Sequence, residues 1–121
     1  MSSRKKILII DDEEDILTYL SAFFTDNNFQ VILASDGIEG VQKANKEKPD
    51  IITLDISMPK ESGVKALRNL QNNESTKNIP IIIVTGIISE FKRFISSRKQ
   101  VHMPEGYFEK PVFKFQNSEI I

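Results

Sequence analysis

Cysteine is absent from the 121 residues, which excludes a disulfide frame and a thiolate metal site. Histidine occurs once, as His102 beside Met103-Pro104. A single exposed histidine in an irregular stretch makes neither a metal site nor a phosphohistidine centre. No apolar run is long enough to cross a bilayer. The start, Met1 to Lys6, lacks the apolar core of a signal peptide, so the cytoplasm is the expected compartment. Excess charge is missing too. Sixteen Lys and Arg stand against 17 Asp and Glu, for a net charge of -1, so neither a nucleic acid nor a membrane surface is an expected partner. There is no internal repeat, low-complexity segment or linker. Residues 1–121 are therefore expected to form a single domain with its core over about 5–121, a length that supports one core and not two.

What the chain does have is a series of short β-branched apolar runs, each ending in a polar residue. Ile7 to Ile10 ends in Asp11-Asp12-Glu13-Glu14-Asp15, and Ile51 to Leu54 ends in Asp55, with Pro59 shortly after. Such runs read as strands buried on both faces, and proline cannot continue a ladder. Phe29 to Ala34, Ile81 to Val84 and Tyr107-Phe108 read as three further strands.

Helical spacing fills the intervals. Ile16, Leu20, Phe23 and Phe24 make one stripe, and Ile38, Val41 and Ala44 a second that opens on the capping spacing Asp36-x-x-Glu39. Val64, Leu67 and Leu70 follow Gly63, then Phe91, Phe94 and Ile95 suggest a fourth helix and Val112, Phe115 and Ile120 a short fifth.

Five strand–helix alternations predict an α/β doubly wound parallel sheet of the flavodoxin-like (βα)5 kind, with helices on both faces and strand order 2-1-3-4-5. The switch point of that order lies between the first and third strands, which brings Asp11 and Asp12 beside Asp55.

Three carboxylates at adjacent strand ends repel one another, so one takes a proton or a cation sits among them. All the donors are hard oxygens, which suits Mg²⁺ better than Zn²⁺. An aspartate can also be the nucleophile that takes up phosphate. Thr85 and Lys110 end the fourth and fifth runs on the same edge, where a hydroxyl and an ammonium can each bind a phosphoryl oxygen. Phosphoryl transfer asks mainly for this kind of positioning and neutralisation.

Over almost its whole length the chain resembles the receiver domain of bacterial two-component response regulators. The matching features are Asp11-Asp12 after the first strand, Asp55-x-x-Met58-Pro59-x-x-x-Gly63 after the third, Thr85 after the fourth, and Tyr107-x-x-Lys110-Pro111 at the fifth. Each alone is weak; in order and at strand ends they are specific.

The resemblance implies that Asp55 is phosphorylated by a phosphohistidine on a sensor histidine kinase or phosphotransfer protein. It implies Mg²⁺, with Mn²⁺ as an alternative, bound directly by Asp12 and Asp55, through water by Asp11, and by the backbone carbonyl of Ser57. Lys110 would pair with the phosphoryl group, Thr85 would hydrogen-bond it, and Tyr107 would swing inward as Thr85 moves. The Lys110–Pro111 bond would be cis. The output face would be the fourth helix, fifth strand and fifth helix, acting on a downstream effector that the chain does not name, as a monomer or a phosphorylation-dependent dimer. Ser57, two residues after the acceptor, and Gly86, where many receivers carry alanine, occupy places that influence loss of the aspartyl phosphate.

Two other readings compete. A haloacid-dehalogenase-like phosphatase would need an aspartate two residues after the nucleophile, and Ser57 stands there. A receiver reduced to a binding module would have lost an acid or the lysine, and none is missing. A flavin site would need a Ser/Thr/Gly-rich cradle after the first strand, which is acidic here.

Overall fold

Ile7, Leu8, Ile9 and Ile10 are all within 1% of full burial, which a strand achieves only when both faces of its sheet are covered. The computed structural model describes residues 4–56, 58–59, 62–85 and 106–109, with 85 and 106–109 described by their backbone. In chain order the elements are β1 (Lys5–Ile10), α1 (Glu14–Asp26), β2 (Phe29–Ala34), α2 (Gly37–Glu47), β3 (Ile51–Leu54), α3 (Ser62–Asn72), β4 (Ile81–Thr85) and β5 (Gly106–Glu109). The strands form one five-stranded sheet, ordered β2-β1-β3-β4-β5, with every pairing parallel. This is the flavodoxin-like order anticipated from the sequence. The helices anticipated around Phe91, Phe94 and Ile95 and over 112–121 lie outside the described residues.

Side chains along a strand alternate between faces, so β1 serves two cores at once. Ile7 and Ile9 pack with Ile16, Leu20 and Phe24 of α1. Leu8 and Ile10 pack on the opposite face with Ala44 of α2, Val64, Leu67 and Leu70 of α3, and Ile52 and Leu54 of β3. Phe23, read as part of the α1 stripe, lies at its side and is half-buried. Phe24 meets Phe23 and Phe29 edge-on, with ring centroids 5.0 and 5.3 Å apart, which ties the end of α1 to the start of β2. Between them Asn28 takes the left-handed conformation at φ 71°, one that asparagine tolerates better than most residues.

The second helix corrects one expectation. Ile38 does not face inward; it is 74% exposed. Gly37, Gly40 and Ala44 are the buried residues of α2, and Ile38 is turned about 100° from Gly37 along the helix. The small residues let α2 lie close to the sheet: a Cβ at Gly40 would fall 2.5 Å from Ile10 Cδ1.

The helix start is held as the spacing predicted. The Asp36 side chain accepts from the Glu39 N–H at 2.7 Å. The return bond is displaced by one residue, with the Glu39 carboxylate accepting from the Ser35 N–H at 2.8 Å and the Ser35 hydroxyl at 3.1 Å. Lys43 sits 3.0 Å from the same carboxylate. The Ser35 N–H first, then Lys43 and the Ser35 hydroxyl, hold the Glu39 carboxyl down from 4.5 to about 2. At the other end Lys48 closes α2 in the left-handed conformation, φ 50° and ψ 60°, with its N–H on Ala44 O at 3.0 Å. Pro49 follows and cannot prolong the helix.

Candidate functional site

The register of the central strands builds the site. Ile10 of β1 lies opposite Leu54 of β3, so the next residue of each chain leaves the sheet on the same edge. The ladder runs one step past both strands: the Asp55 N–H donates to Ile10 O at 2.9 Å, and the Asp11 N–H donates to Ala34 O at 3.1 Å. From β1, α1 crosses on one face of the sheet and α2 returns on the other, so this edge is the switch point where open α/β sheets form their sites.

Asp11 and Asp55 are each 1% exposed, whereas Asp12 and Glu13 are exposed. One carboxylate oxygen from each of these four residues lies within 4.8 Å of all the others. Asp11 Oδ1 also accepts the Glu13 N–H at 2.8 Å, an Asx-type turn that bends the chain from the strand into α1. Glu13 is the N-cap residue of α1, with an extended backbone at φ -95° and ψ 115°. The positive end of the α1 dipole therefore faces the acids. Four carboxylates this close call for a compensating positive charge, and an all-oxygen donor set fits Mg²⁺ or a similarly hard divalent ion.

Of the residues singled out in the sequence, Asp11, Asp12 and Asp55 come together here. The backbone of Thr85 ends β4, in register with Glu109 of β5, and Tyr107 pairs with Ile83 inside the sheet. Ser57, Gly86, Lys110 and Pro111 lie outside the described residues. Glu13 joins the cluster without having been singled out. The signal was available: it is the third acid after the strand end and still precedes the first helical turn, so its side chain need not follow the helix away from the edge.

Gly63 fixes the far wall. It is the second residue of α3, and a Cβ there would overlap the Asp55 carbonyl oxygen and lie 2.7 Å from Ile56 Cα. Only glycine lets the start of α3 press against the backbone that carries Asp55.

A flavodoxin-like sheet with buried acids at the carboxyl ends of its first and third strands defines a class of α/β domain with a carboxylate-lined cation site at its switch point. The chain belongs to the response regulator receiver domain family, which matches it over residues 7–115. It is thus a domain of two-component signalling.

Among relatives, it is 40% identical over 91 residues to the alkaline phosphatase synthesis transcriptional regulatory protein PhoP of Bacillus subtilis, covering 75% of this chain and 37% of PhoP. It is 36% identical over 107 residues to protein PilH of Pseudomonas aeruginosa, covering 88% of this chain and 86% of PilH. The chain thus spans most of PilH but little more than a third of PhoP.

Among solved structures, the receiver domain of the sensor histidine kinase PA1611 from Pseudomonas aeruginosa PAO1 has a TM-score of 0.82 against this chain, with 27% identity, covering 98% of this chain and 92% of that one. That structure has a magnesium ion coordinated in its active-site cleft. No helix among the described residues is long and apolar enough to cross a membrane.

Proposed function

We propose that residues 1–121 form one receiver domain that works as a phosphorylation-controlled switch, with Asp55 as the residue that takes the phosphoryl group. The observation that carries this is Asp55 itself: a carboxylate 1% exposed at the end of the central strand, with three other carboxylates within 4.8 Å. The donor is a phosphohistidine on a sensor histidine kinase or phosphotransfer protein. An Asp55 oxygen forms the new bond to phosphorus, and the phosphorus–nitrogen bond breaks. The imidazole keeps that electron pair, and Asp55 becomes an acyl phosphate.

Asp12 and Asp55 would hold Mg²⁺ (or Mn²⁺) directly and Asp11 through water, with the Ser57 carbonyl as a further oxygen. When bound, the ion neutralises charge on the phosphoryl oxygens. The magnesium in the PA1611 cleft supports this assignment. Lys110 pairs with the phosphoryl group and Thr85 hydrogen-bonds it. The modification adds about -1.5 to -2 charge units and three acceptor oxygens. That addition draws the Thr85 loop inward, lets Tyr107 follow, and biases a two-state equilibrium at the output face. The domain signals to an effector and does not turn over an external substrate.

Acetyl phosphate with Mg²⁺ is expected to add one phosphoryl mass to the intact protein. Asp55→Asn, checked by circular dichroism for its fold, is expected to abolish the addition. Phosphate mapped to another residue, or release of phosphate from small esters with no labelled protein, would overturn the assignment.

A further inference from the structure

Glu13 has no part in the switch outlined above, yet its carboxylate stands in the same cluster as those of Asp11, Asp12 and Asp55. We propose that Glu13 is a fourth carboxylate of the cation site, one that sets how tightly the divalent ion is held. The inference rests on the cation site proposed above and deepens it.

Three features of the chain lead here. The Glu13 backbone is anchored to the site, because its N–H donates to Oδ1 of buried Asp11 at 2.8 Å. Its position before the first helical residue keeps it on the strand edge, while the next acids, Glu14 and Asp15, belong to the first turn of α1. Those two contribute no oxygen to the cluster found among the described residues. The four acids also divide into a buried pair, Asp11 and Asp55, and an exposed pair, Asp12 and Glu13. An ion entering from solvent therefore meets the exposed pair first.

Affinity at oxygen-donor sites rises with the number of charged ligands, and a hydrated Mg²⁺ keeps waters that a nearby carboxylate can engage without replacing. At the spacing of this cluster, with a water-like dielectric and about 0.1 M salt, one further unit charge facing a divalent ion is worth roughly three- to tenfold in affinity. The contribution is electrostatic and falls as salt is raised.

The test is an equilibrium Mg²⁺ titration by calorimetry on the whole chain with no phosphodonor, comparing the unaltered protein, Glu13→Gln and Glu14→Gln at low and high salt. The expected result is an affinity lowered roughly three- to tenfold by Glu13→Gln, less than twofold by Glu14→Gln, with the Glu13 effect shrinking in high salt. Equal affinities for the unaltered protein and Glu13→Gln would overturn the inference. So would equal losses in both variants, since that is a response to net charge and not to position. Failure of the unaltered protein to bind Mg²⁺ at all would instead bring down the cation site itself.

Discussion

A methyl group added at Gly63 disturbs the Asp55 backbone without removing any acidic side chain. The Cβ of Gly63→Ala would overlap the Asp55 carbonyl oxygen and stand 2.7 Å from Ile56 Cα and 3.0 Å from Ile56 C, where ordinary contact starts at 3.4 Å. All three are main-chain atoms, so no rotamer change relieves the overlap. Nor can the chain recoil easily, because the Asp55 N–H is held on Ile10 O at 2.9 Å and Leu54 is paired inside the sheet. Overpacking of this kind costs about 1–3 kcal/mol. Alanine recovers at most about 1 kcal/mol through helix propensity, and less in a first turn. The expected net loss is about 1–2 kcal/mol of folding stability.

Gly40→Ala supplies the comparison. Its Cβ would meet Ile10 Cδ1 at 2.5 Å, Cγ1 at 2.9 Å and Cγ2 at 3.0 Å, all side-chain atoms and none of them main chain. It lies inside α2, where alanine gains the full propensity difference. Urea unfolding should therefore rank Gly63→Ala as the more damaging of the two, and only Gly63→Ala should also weaken Mg²⁺ binding in calorimetry. A Gly63→Ala protein as stable as the parent, or a reversed order, would refute the claim that the α3 start is wedged against the Asp55 main chain.

Two further outcomes can be checked by unfolding experiments. Lys48→Gly should stabilise the protein by about 0.5–1 kcal/mol, because a β-carbon in the left-handed region costs about 1–2 kcal/mol and glycine returns part of that as chain entropy; thermal melts measure it. Glu39→Gln addresses pH: the folded carboxyl titrates at about 2 against an ordinary 4.5, so its stabilisation is complete above pH 4.5 and fades as pH falls toward 2. With the side chain more than a third exposed, that contribution is discounted to under about 1 kcal/mol, and the unfolding curves of parent and variant should converge across that window.

Strand order was legible because β-branched runs alternate with helical stripes, and parallel crossovers allow few arrangements. The strand limits were less so. β1 begins at Lys5, not Ile7, because Lys5 and Lys6 pair with Phe29 and Gln30 where the sheet end is wet, and an apolar run does not reveal that. The Asp36 cap was legible from its three-residue spacing. The partner of Glu39 was not, since a flexible side chain can reach either Ser35 or Asp36. Ile38 was misplaced because hydrophobicity outweighed size: the close approach of α2 to Ile10 demands glycine on the inner stripe, which leaves the larger residue outside. The left-handed turn at Lys48 carries no signal at all, since lysine has no preference for it.

The acids themselves follow from backbone continuity more than from their own chemistry. The bonds from Asp55 to Ile10 O and from Asp11 to Ala34 O extend the ladder one step beyond the last paired residues. Each acid is thus placed by its amide while its side chain is still within the sheet's layer, which is why both are buried. One residue on, the chain has turned: the Asp11 carboxylate captures the Glu13 N–H, and Asp12 between them is exposed. A strand that ran one residue further would bury Asp12 instead, and a helix that began one residue sooner would carry Glu13 away from the edge. The division into two buried and two exposed carboxylates is therefore a property of where β1 stops and α1 starts, and any cation that binds there inherits its ligand geometry from that junction.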